Sequence, residues 1–227
     1  MIAKAFQKLN YTSVTVSSLL LVGVSYYYSN LEFKWSLFES RLLNGIIIFG
    51  ALMLTNYAID TVTRQLTIER INRNAYHLLL YPIVVFSFPV ETVDMRFILA
   101  SAATWSAWRN TRLFFEATNN NEKLKRLLDA ALLITISSVF ILENILVLLI
   151  PLILLIITNV KRDIKHFIII IGTPLIILPT IYIIISFIGL DLILFSSFIF
   201  EAEDQLQISK AESLEIPISF GSLTLII

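Results

Sequence analysis

Long apolar runs separated by short polar breaks make up most of the chain, and their lengths predict helices rather than strands. A bilayer core of about 30 Å takes about 20 mainly apolar residues as helix, because each backbone N–H and C=O must be paired inside lipid. Runs that meet or approach this length fall at residues 11–28, 42–62, 75–90, 95–115 and 167–190. Another, 127–160, is broken only by Glu143 and Asn144. As a single helix it would be about 51 Å long, so it is read as two short helices, 127–142 and 145–160, turning at those two residues. The expected fold class is therefore all-α: a polytopic transmembrane bundle of seven helices over residues 1–190.

Local signals refine this pattern. The start, MIAKAFQKLN, lacks an A-x-A-like cleavage site, which makes the first run an uncleaved helix ending in the aromatic belt Tyr26, Tyr27 and Tyr28. Ala102, Ala103, Ser106 and Ala107 form small-x-x-x-small pairs that let helices approach closely. Asp129, three residues after Arg126, is expected in the first turn of the fifth helix, where a carboxylate favours the dipole. Pro174 and Pro179 predict a kink in the seventh. Residues 191–220 read as an interfacial helix and acidic loop on the outer face, and 221–227 as the start of a truncated further helix.

Orientation follows from the basic residues. With the N-terminus inside, all of the 17 Lys and Arg except Lys34, Arg41, Arg96 and Lys210 fall on the cytoplasmic side. Positive loops stay inside, so this asymmetry predicts both the direction and the number of crossings in a bacterial inner (cytoplasmic) membrane.

Composition agrees and removes other classes. The 227 residues are 57% apolar and 15% charged, with a mean hydropathy of +0.81, whereas soluble domains keep about 25% charged. A net charge of zero gives no field to attract nucleic acid. The absence of cysteine removes disulfides and thiol chemistry, and only His77 and His166 are available as imidazole ligands. Neither has a ligating partner at i+4, and no phosphate-loop, dinucleotide, nucleophile-elbow or zinc-protease motif occurs, so no metal and no cofactor is expected.

Ionisable and amide groups within the runs are the candidate site residues, since burying them in lipid is costly. Asn56 and Asp60 share one helical face with Arg64 a turn further on. As chemistry this is an ion or proton site; as structure it is an Asp60–Arg64 pair at the rim with Asn56 bonded to a neighbouring helix. Trp105, Trp108, Arg109 and Arg112 form a band suited either to anchoring or to an anionic lipid headgroup. Glu32 and Glu39 in the first outer loop are the catalytic candidates.

The stretches ERINRNAYHLLLYPIVVFSFP from Glu69, TWSAWRNTRLFFEATNNNEKLKRLLDAALL from Thr104 and HFIIIIGTPLIILPTIYIIISF from His166 carry a resemblance. In layout, over about residues 65–190, the chain resembles a multi-pass inner-membrane family of Bacteroidota of unknown function. The resemblance implies a lineage and a longer C-terminus, and no catalytic residues.

Three functions fit. The first is a non-enzymatic helper or scaffold in the cell envelope, in contact with membrane lipids and other envelope membrane proteins and not with nucleic acid. The second is a lipid-linked glycosyltransferase-like enzyme with an outward-facing site at Glu32 or Glu39. The third is a transporter using the Asn56/Asp60 face.

Overall fold

A computed structural model describes residues 6, 11–30, 38, 40–63, 75–88, 94–157 and 164–188. All regular structure among them is helical: α1 (Tyr11–Ser29), α2 (Arg41–Thr63), α3 (Tyr76–Ser87), α4 (Met95–Glu116), α5 (Asn120–Phe140), a 3₁₀ helix (Leu142–Leu148), α6 (Leu149–Ile157) and α7 (Ile164–Ile188). Met1–Thr180 forms one compact unit; in the second, Ile181–Ile227, the described residues are the end of α7. Residues 191–227, assigned above to an outer helix, an acidic loop and a further helix, lie outside the described residues.

Local chemistry sets the helix ends. Asp94 caps α4, accepting from the Arg96 N–H at 3.1 Å while the Arg96 guanidinium pairs with it at 2.7 Å. Asn119 caps α5 by accepting from the Asn121 N–H. That cap starts α5 well before residue 127, so Asp129 lies in its third turn, and Arg126 pairs with Glu122 instead. At Phe88 the backbone turns extended and α3 ends, as the proline at position 89 requires of the residue before it. Within α1, Thr15 and Ser18 donate to the carbonyls of Tyr11 and Val14, pairing their hydroxyls without water.

The turn expected at Glu143 and Asn144 falls earlier. The helical path breaks at Ile141, and residues 142–148 continue as a 3₁₀ helix. Asn144 explains the displacement: its Nδ2 reaches back to Ser137 Oγ at 2.7 Å. Ser137 Oγ in turn donates to the Ala100 carbonyl at 2.9 Å and lies 2.8 Å from Thr104 Oγ1. One hydroxyl thus ties α4, α5 and the 3₁₀ helix together. Ser137→Ala strips Asn144 and Thr104 of a partner at once, and the expected loss is about 1–2 kcal/mol, measured by unfolding in mixed micelles of rising SDS fraction. The continuous α7 contains both Pro174 and Pro179.

Two apolar cores divide α4 between them. Its first half, through Met95, Ile98 and Ala102, packs with Leu21, Val24 and Tyr28 of α1 and Ile48, Ala51 and Leu52 of α2. Its second half, through Ala107 and Phe114, packs with Leu127, Ala131 and Ile134 of α5, and with Leu148, Leu155 and Ile170. The expected small residues Ala102 and Ala107 are buried, as are Ala130 and Ala131 on α5.

The distribution of side chains is inverted relative to a water-soluble bundle. Ser13, Ser17, Asn44, Thr55, Asn56, Asp60, Asn110, Thr111, Thr135, Ser137 and Ser138 are all buried. Leu19 and Leu20 on α1, Leu42, Leu43, Ile46 and Leu54 on α2, and Ile168, Ile171, Leu175 and Ile176 on α7 are all exposed. Among the described residues, Arg41–Thr63 and Ile164–Ile181 are long and apolar enough to cross a membrane; Tyr76–Ser87 and Leu142–Ile157 are apolar but shorter.

Candidate functional site

The buried stripe of α2 runs through Asn44, Ile48, Ala51, Leu52, Thr55, Asn56 and Asp60, the three- and four-residue spacing that keeps side chains on one helix face. Its polar ends do different work. Asn44 accepts from the Phe38 N–H at 3.1 Å and donates to the Phe38 carbonyl at 2.7 Å, fixing the approach to the helix. Asn56 and Asp60 face the seam between α2, α1 and α3.

In that seam Ser17 of α1 donates its hydroxyl proton to the Leu78 carbonyl of α3 at 2.8 Å. A hydroxyl has one proton, so Asn56 must be the donor in its 3.0 Å contact with Ser17 Oγ. This fixes the amide orientation and leaves Asn56 Oδ1 buried without a hydrogen-bond partner. One turn further along α2, Asp60 Oδ1 lies 3.0 Å from His77 Nε2. The pair is largely withdrawn from solvent, with side-chain exposures of 7% for Asp60 and 19% for His77.

Asp60 is in the last turn of α2, whose negative end disfavours a carboxylate, while His77 is in the first turn of α3, whose positive end favours one, so the field of α3 acts on Asp60 from across the seam. The seam thus sets a carboxylate and an imidazole within hydrogen-bond reach, beside an amide oxygen able to accept one more donor.

On the other side of α2, Arg112 of α4 donates to the Val62 carbonyl and pairs with Glu116 at 3.2 Å. A helix leaves its last carbonyls unpaired, so Arg112 serves as an inter-helix cap. Arg109 behaves differently. Its guanidinium lies over the Tyr57 ring, 4.8 Å from the centroid, with Nη2 3.4 Å from the Tyr57 hydroxyl. Trp105 and Trp108 beside it are each 37% exposed.

Of the residues singled out from the sequence, Asn56 and Asp60 do share the seam, while Arg64, Glu32 and Glu39 lie outside the described residues. His77 and Ser17 complete the seam. The signal that could have found Ser17 is the Ser13/Ser17 repeat at i,i+4, and for His77 its place in the first turn of α3. His166 is buried with its ring edge-on to Phe114 at 5.5 Å. Among the described residues, no group of three or more His, Asp or Glu side chains could hold a metal ion.

No protein-family model, curated protein or solved structure matches the chain.

Proposed function

We propose that the chain is a multi-pass protein of a bacterial cytoplasmic membrane, with its N-terminus in the cytoplasm and a non-enzymatic role as a helper or scaffold in the cell envelope. The inverted side-chain distribution carries this reading: polar groups line the helix contacts while leucine and isoleucine face outward. Water would reject such a surface, and lipid requires it. The layout shared with the Bacteroidota inner-membrane family supports the compartment, and the basic residues support the orientation.

Single cysteines test the topology, because the chain has none of its own. A cysteine at position 143 should react with a membrane-impermeant maleimide in intact spheroplasts, and one at position 124 only after permeabilisation. The reverse pattern overturns the orientation. Release of the protein by alkaline carbonate overturns membrane integration altogether. Scaffolding predicts a discrete protein adduct from a photo-crosslinker at Leu175 on the exposed face of α7; adducts to lipid alone count against it.

The seam favours a second reading, a transporter for protons or a small cation. The observation behind it is a buried carboxylate–imidazole pair one turn from an unpartnered amide oxygen. In proteoliposomes carrying a pH-sensitive dye, Asp60→Asn should abolish any proton flux shown by the parent chain. Unchanged flux removes the reading.

A further inference from the structure

Of the arginines on α4 and α5, Arg96, Arg112 and Arg126 each pair with a carboxylate. Arg109 has no carboxylate; its contacts are the face and the hydroxyl of Tyr57, the latter at 3.4 Å, and its Nε makes no hydrogen bond. A guanidinium carries five N–H donors in a rigid fork; with Nε buried, the outer edge formed by the two terminal nitrogens is the part a ligand can reach. The positive charge is also unmatched, and many large apolar side chains are exposed among the described residues.

The surroundings are suited to one kind of anion. Tyr57 is 52% exposed and holds the guanidinium by its ring face, which fixes the plane of the fork before any ligand arrives. Trp105 is one helical turn away on the same face of α4, and Trp108 adjoins; indole rings settle at the headgroup level of a bilayer. A phosphate diester accepts two parallel N–H bonds from such a fork.

We propose that Arg109, seated on Tyr57 and flanked by Trp105 and Trp108, is a binding site for the phosphate of an anionic membrane lipid. Arg112 is excluded from the site because Val62 and Glu116 already engage it. The proposal rests on the chain being embedded in a bilayer, and the test separates the two claims.

The protein is reconstituted in a Trp35→Phe background, so that fluorescence reports Trp105 and Trp108 alone. Quenching is compared between phosphatidylglycerol and phosphatidylcholine with brominated chains. The expected preference for phosphatidylglycerol is about fivefold, the factor one basic residue contributes near an anionic surface. Arg109→Gln should remove it, Tyr57→Leu should weaken it, and Arg112→Gln should leave it in place. Equal quenching by both lipids in the parent chain overturns the headgroup site and leaves membrane embedding intact. Quenching by neither overturns both. A preference that survives Arg109→Gln, or one abolished by millimolar inorganic phosphate, also overturns the assignment to a lipid at this residue.

Discussion

His77→Phe is expected to destabilise the folded chain by about 2–3 kcal/mol, the upper range for losing a hydrogen bond to a charged group. The imidazole supplies a hydrogen bond at 3.0 Å to a carboxylate that is 7% exposed, and phenylalanine keeps the ring volume while removing the donor. Asp60 would then lose this bond at the negative end of α2, where its charge is least favoured. SDS-driven unfolding in mixed micelles measures the loss. His77→Gln, which restores an N–H donor, should recover much of it; wild-type stability in His77→Phe would show that the pair does not hold α2 against α3. The phenylalanine variant separates a polar contact from mere ring packing.

Arg112→Ala carries the second large effect, about 2 kcal/mol, typical of a hydrogen bond to a charged group. Its signature is local. Arg112 satisfies the Val62 carbonyl at the open end of α2, so amide exchange should rise in the last turn up to Thr63 and stay unchanged in α5. Arg112→Lys keeps the charge but loses the fork that reaches Val62 and Glu116 together, and should sit between the two. Uniformly faster exchange across the bundle would mean that Arg112 acts through general packing.

Hydropathy made α2 legible almost to the residue, 42–62 against Arg41–Thr63. The 95–115 expected for α4 matches Met95–Glu116 in extent, but there the apolar run stops at Trp108 and the helix continues through Arg109, Asn110 and Arg112. α5 was misplaced at its start because hydropathy measures immersion and not helicity; NNEKLKR is polar yet forms a good helix behind the Asn119 cap. The break at Ile141 was hidden for another reason, since it depends on Asn144 finding Ser137. The same limit governs the seam. Asn56 and Asp60 share a face through spacing along one helix, which the sequence displays directly. Their partners Ser17 and His77 lie on other helices, and which side chains meet there depends on how each helix is rotated. Arg109 and Arg112 show that dependence most clearly: three residues apart on one helix, one rests on an exposed tyrosine and the other turns to a backbone carbonyl.

The central position of α2 has a consequence for biosynthesis. Two of its polar groups have partners in later sequence: His77 is 17 residues beyond Asp60, and Arg112 is 50 beyond Val62. Translation at 5–20 residues per second delays Arg112 by roughly 3–10 s after Val62 is made. Throughout that interval a nascent hairpin of α1 and α2 lacks these two contacts, so it will linger beside the insertion machinery, and its release into the bilayer will be timed by the emergence of α3 and α4.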